Sequence, residues 1–112
     1  MEKQKLLVID LDGTICEQTY NNSYEFAKPH EDVIEKLRTL YNKGWNITIH
    51  TARGMRTCSG DVEEVERRYR LMTETWLIKH DVPFHRLVFG KPPGDYYVDD
   101  RGMSPNEFVD DL

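Results

Sequence analysis

The chain has 112 residues, 38% of them hydrophobic and 31% charged, which is too apolar for a disordered chain and enough for one compact domain, expected to span residues 1–112. Fifteen Lys and Arg against twenty Asp and Glu leave a net charge of -5, so the surface repels nucleic acid and anionic membranes and neither is an expected partner. Cys16 and Cys58 form no CxxC pair and have no zinc-ligand spacing with the four histidines; that excludes a disulfide framework and points to free thiols in a reducing cytoplasm.

The N-terminus runs straight into an apolar segment, with neither a secretory leader nor a membrane span expected. Leu6-Leu7-Val8-Ile9 is apolar on both faces, the pattern of a central parallel strand, and is closed by Asp10-Leu11-Asp12-Gly13. Tyr20, Tyr24 and Phe26 fall in a short flap, where aromatic packing is the expected role. Val33, Ile34, Leu37, Leu40 and Tyr41 recur at helical spacing between Pro29 and Gly44, predicting a helix near 31–42.

Trp45 to His50 alternates apolar and polar residues, which predicts a second strand, less central than the first. Val62, Val65, Tyr69, Met72 and Trp76 step by three and four, so a long amphipathic helix is expected near 61–80, capped by Ser59 or Asp61. Leu87-Val88-Phe89 and Tyr96-Tyr97-Val98 read as third and fourth strands. The four residues Pro92 to Asp95 are too few for a parallel crossover between them. Ser104-Pro105-Asn106-Glu107 has the form of a helix cap and first turn. Alternating strands and helices predict an α/β fold: a single Rossmann-like, open, mainly parallel sheet flanked by helices.

Polar groups follow the apolar strands: Asp10 with Asp12, then Thr51, then Lys91, then Asp99 with Asp100. Ligands of open α/β sheets bind outside the carboxyl ends of the strands. Bare carboxylates cannot share a small volume, so Asp10, Asp99 and Asp100 require a cation, and hard oxygen donors suit Mg²⁺. A metal, a lysine, a hydroxyl and a spare carboxylate are the parts that phosphoryl transfer needs.

Val8 to Ile15, VIDLDGTI, resembles the first motif of the haloacid dehalogenase superfamily of phosphatases. ITIHTARG resembles its second motif, ending in Thr51; Lys91 resembles the lysine of the third; YYVDDR resembles the paired acids of the fourth. The four stand in the family order. The resemblance implies a phosphatase in which Asp10 attacks phosphorus and forms an aspartyl-phosphate. It makes Asp12 the general acid and base, Thr51 a hydrogen-bond donor to the phosphoryl group and Lys91 its counter-charge. It implies Mg²⁺ held by Asp10, the Asp12 main-chain carbonyl, Asp99 and Asp100, with Gly13, Ala52 and Arg53 beside the substrate. Arg53 and Arg101 either grip substrate or pair with an aspartate.

Neither insertion point of the family leaves room for a cap domain. Capless members resemble small phosphatases of capsule and surface-polysaccharide synthesis, which implies a sugar phosphate or related small metabolite as substrate. They either form a homo-oligomer that closes the site or act on large substrates. Two alternatives stand beside this reading. A receiver-like phospho-acceptor switch shares the residue types, though there the acidic pair comes first. A polynucleotide or protein phosphatase of the same superfamily is the other.

Overall fold

A computed structural model describes residues 3–20 and 23–112. Three strands, β1 (Leu6–Ile9), β2 (Asn46–Thr51) and β3 (Arg86–Phe89), form a parallel sheet in the order β1-β2-β3. Val8 is in register with Thr48 and Ile9 with Ile49; His50 is in register with Val88 and Thr51 with Phe89. Helices α1 (Glu31–Asn42), α2 (Val62–Lys79) and α3 (Pro105–Asp111) flank the sheet, and a single 3₁₀ turn covers Tyr24–Phe26.

The predicted helices form where their apolar periodicity places them. Val33, Ile34, Leu37 and Leu40 give α1 one buried face. Asp61 caps α2 by accepting the Glu64 N–H at 3.2 Å. Ser104 and Glu107 make a reciprocal capping box at the start of α3, with Pro105 in the first turn. Leu11, Ile15, Ile34, Leu37, Ile47, Ile49 and Leu77 are fully buried. Each such side chain contributes roughly 1.5–3 kcal/mol of apolar burial, which fixes the strand ends relative to one another.

Two expectations about the sheet are overturned. The middle strand is β2, not β1. Among the described residues β1 pairs on one side only, and Leu6 and Val8 are 69% and 66% exposed while Ile9 is buried. Its apolar run is therefore an edge strand with one wet face, a distinction that a continuous apolar run does not encode. Tyr96-Tyr97-Val98 is not a strand; Val98 is 100% exposed. Pro92 and Pro93 lack N–H donors, and the chain between Phe89 and Tyr96 is too short to cross the sheet. The Tyr97 hydroxyl instead closes a local turn, donating to the Pro92 carbonyl at 2.8 Å and accepting the Gly94 N–H at 2.9 Å. β3, by contrast, is a parallel neighbour of β2.

Candidate active site

Because the three strands are parallel, their carboxyl ends open on one side of the sheet. Asp10 follows β1, Thr51 ends β2 and Lys91 stands two residues past the end of β3. The Lys91 N–H donates to the Thr51 carbonyl at 3.1 Å, and its ammonium lies 3.4 Å from Asp10 Oδ1. The short link after Lys91 does not displace this lysine from the strand ends. Its ammonium also sits 4.1 Å from the Tyr97 ring centroid.

Burial pushes the Asp10 carboxyl above the usual carboxylate range, with Lys91 opposing the shift and Asp12 adding to it. Burial, then the charge of Lys91, lowers the His50 imidazole. The turn after Asp10 is tightly bonded: Thr14, Ile15 and Cys16 N–H groups all converge on the Leu11 carbonyl. Gly13 takes φ 88°, a conformation other residues rarely adopt, and donates its N–H to Cys16 O at 2.8 Å.

Arg53 is 2% exposed. Its Nε donates to Asp12 Oδ2 and its Nη2 to Asp12 Oδ1, both at 2.9 Å, while Nη1 donates to Thr73 Oγ1 at 3.1 Å. The guanidinium lies 4.3 Å from the centroid of the Tyr24 ring, which meets Tyr69 edge-on at 5.7 Å. Of the two roles open to Arg53, the structure shows the aspartate pair. The Thr51 hydroxyl accepts the Arg53 N–H at 3.0 Å, so its own hydrogen is left to donate. Cys16 Sγ lies 3.5 Å from Asp12 Oδ1, and burial and the Asp12 charge push its thiol up to about 12.

Asp10, Asp12, Thr51, Ala52, Arg53 and Lys91 line one hollow of about 310 Å³. Gln18, Tyr24, Arg56, Thr57 and Tyr97 line it too, and the sequence had not singled out Gln18, Arg56, Thr57 or Tyr97 for a site. Tyr24 packs as expected and also faces the hollow; Tyr20 and Phe26 are exposed at 81% and 77%. Thr73 was missed although it falls on the buried stripe of α2, four residues after Tyr69 and three before Trp76.

Gly13 is not part of this lining, and neither are Asp99 and Asp100, because the strand expected to carry them is absent. Asp99 borders a second hollow, about 640 Å³, along the free edge of β1, together with Asp10 and His50. Its Oδ1 accepts the Arg101 N–H at 2.7 Å. The Asp100 side chain is 89% exposed beside an Arg101 side chain that is 91% exposed. Among the described residues no group of three or more His, Cys, Asp or Glu is placed to hold a metal ion. Mg²⁺ is commonly held by one or two carboxylates completed by water and substrate oxygens, and Asp10 and Asp99 on one hollow supply donors of that kind.

This architecture has the Rossmann-like fold of a haloacid dehalogenase core. It is similar to D,D-heptose 1,7-bisphosphate phosphatase from B. bronchiseptica, crystallised with magnesium and phosphate (TM-score 0.56, 16% identity, 89% of this chain and 54% of that one). It is similar also to a chain of the Pnkp1/Rnl/Hen1 RNA repair complex (TM-score 0.58, 21% identity, 95% of this chain and 29% of that one). This chain thus spans about half of the first protein's length and under a third of the second's.

A Vibrio cholerae protein solved as an MCSG target is 38% identical over 96% of this chain and 89% of its own, with a TM-score of 0.90. The chain belongs to one family with that protein. No protein-family model and no curated protein matches the sequence. No helix among the described residues is long and apolar enough to cross a membrane.

Proposed function

We propose that the chain is a phosphatase that hydrolyses a small phosphomonoester through a phosphorylated Asp10. The observation that carries this reading is the meeting of Asp10, Thr51 and Lys91 at the ends of three separate strands, with the Lys91 ammonium 3.4 Å from the Asp10 carboxylate.

An Asp10 oxygen bonds to phosphorus as the bond from phosphorus to the leaving oxygen breaks. Lys91 offsets the charge of the carboxylate and of the transferring group, and Thr51 donates its hydroxyl hydrogen to a phosphoryl oxygen. Asp12 protonates the leaving oxygen, then takes a proton from the water that cleaves the acyl phosphate; inorganic phosphate leaves and the Asp10 carboxylate returns. Each Asp12 oxygen accepts one bond from Arg53, which leaves each a second lone pair for the proton.

Mg²⁺ is the proposed cofactor: Asp10, the Asp12 main-chain carbonyl and Asp99 would hold it, and it would offset charge on the carboxylates and phosphoryl oxygens. The heptose bisphosphate phosphatase crystallised with magnesium supports this choice.

The hollow of about 310 Å³ suits a small metabolite, which supports a sugar phosphate, as the likeness to small capsule-synthesis phosphatases implies. Among the described residues only a short 3₁₀ turn and α1 separate β1 from β2, and only α2 separates β2 from β3. That supports a capless enzyme whose site is closed by a homo-oligomer. Two free buried thiols support a cytoplasmic location.

The test is turnover of p-nitrophenyl phosphate with magnesium. Asp10→Asn is expected to lower the rate at least thousandfold with the fold intact, and a loss below tenfold overturns the mechanism. The Arg53 grip on Asp12 favours one second reading, a phospho-acceptor switch: an acid/base held on both oxygens leaves the acyl phosphate long-lived. Sustained release supports the phosphatase; a single stoichiometric burst of label that persists supports the switch.

A further inference from the structure

The charged groups lining the hollow beneath the strand ends are Asp10, Asp12, Arg53, Arg56 and Lys91. Four of them pair off: Lys91 with Asp10, Arg53 with Asp12. Arg56 remains, exposed at the rim, its guanidinium in no hydrogen bond or ion pair among the described residues while its main-chain carbonyl accepts the Ser59 N–H at 3.3 Å. In a chain of net charge -5, this guanidinium is a cation at the hollow that no recorded ion pair engages.

The backbone that presents Arg56 is firmly held. Cys58 N–H donates to Gly54 O at 2.8 Å, Gly60 N–H donates to Met55 O at 2.8 Å and Met55 N–H to Ala52 O at 3.1 Å. Gly54 rests against the Tyr69 ring so closely that a Cβ there would lie 2.6 Å from two ring carbons. Tyr24, bonded to the Gly54 backbone, braces the same turn. The arginine head is thus an exposed group on a fixed stem, and a guanidinium is well matched to carboxylate and phosphate oxygens.

Resting on the phosphatase reading above, we propose that Arg56 selects substrates bearing a second anionic group, a carboxylate or a second phosphate, at the end remote from the phosphoryl group that is removed. Lys91 and Thr51 serve the transferred group. Arg56 serves the far end, and Gln18 and Thr57 line the wall beside it. The preferred substrate is a phosphorylated sugar acid or a sugar bisphosphate rather than a neutral sugar monophosphate.

Three hexose phosphates of matched length test this: glucose 6-phosphate, 6-phosphogluconate and glucose 1,6-bisphosphate. The wild-type protein is expected to prefer at least one doubly anionic compound over glucose 6-phosphate by roughly tenfold in kcat/KM, the size of one charge-assisted hydrogen bond. In Arg56→Gln that ratio should fall towards one, mainly through KM, and Arg56→Lys should restore part of it. Preference for the acid identifies a carboxylate, and preference for the bisphosphate identifies a phosphate. Both substrates are measured on the same sample, so a folding defect cancels in the ratio. A ratio unchanged by Arg56→Gln overturns the proposal, as does a wild-type protein that hydrolyses all three at equal rates. A wild-type protein with no turnover of any phosphomonoester overturns the phosphatase reading itself.

Discussion

Arg53 holds Asp12 through two parallel hydrogen bonds of 2.9 Å, with the arginine side chain wholly buried and the aspartate 11% exposed. A fork of this kind fixes the carboxylate plane as well as its position, and Thr73 and Tyr24 fix the fork.

Breaking that pair leaves a desolvated carboxylate alone. Arg53→Ala is expected to lower unfolding free energy by about 3 kcal/mol or more, the usual consequence of removing one partner of a buried ion pair. Arg53→Lys keeps the charge but loses the fork, so it should fall in between. Urea denaturation checks both, and a loss under 1 kcal/mol for the alanine variant would contradict the geometry.

Asp10 gives a pH dependence whose sign follows from its environment. Its folded carboxyl titrates above its ordinary value of 3.8 because burial disfavours the charge. The folded state therefore binds the proton more tightly than the unfolded state, and stability falls as pH rises from 3.8 through the folded value. Above that window the ionised group is a net strain on the fold. Metal-free Asp10→Asn, measured with chelator present, should melt at a higher temperature than the parent at pH 7. The gain should shrink on acidification, as the parent carboxyl takes up its proton.

Gly54 and Gly60 separate steric crowding from backbone conformation. Both have positive φ, 74° and 81°. A Cβ on Gly60 meets nothing within 4 Å, while one on Gly54 meets the Tyr69 ring at 2.6 Å. Gly60→Ala should lose about 1 kcal/mol from the left-handed backbone alone. Gly54→Ala should lose that and a further ~1–3 kcal/mol from overpacking, as thermal melts would show.

The thiols should be inert in the folded protein. Cys16 has no exposed surface and is pushed up to about 12, and Cys58 is 9% exposed. Iodoacetamide at pH 8 is expected to leave both unmodified by mass spectrometry until denaturant is added. Stoichiometric labelling of native Cys16 within minutes would disprove the placement of its sulfur.

Periodicity made the helices legible. Val33, Ile34, Leu37 and Leu40 mark α1 within a residue at either end, and Ser104 with Glu107 marks the start of α3. The meeting of Asp10, Thr51 and Lys91 was also legible, since parallel strands deliver whatever follows them to the same side. The order of the strands was not. An apolar run has the same letters at an edge as at the centre, and Leu6 and Val8 carry no mark of their exposure. Nor did Tyr96-Tyr97-Val98 announce that its tyrosine would close a turn rather than a ladder, since the donors missing from Pro92 and Pro93 matter only once a partner is sought. The Arg53–Asp12 fork spans 41 residues of chain, and Thr73 alone, a polar residue on an apolar stripe, hinted that something polar waits inside.

Among the described residues β1 has a neighbour on one flank only, and its side chains alternate: Leu6 and Val8 lie in water and Ile9 in the core, and beyond the strand Leu11 and Ile15 have no exposed surface. Amide hydrogens of β2, paired on both flanks, should therefore outlast those of β1. Asp10, the proposed nucleophile, sits between Ile9 and Leu11, the two buried residues that follow the wet part of the strand. The strand can fray at its tail without loosening its grip on that carboxylate.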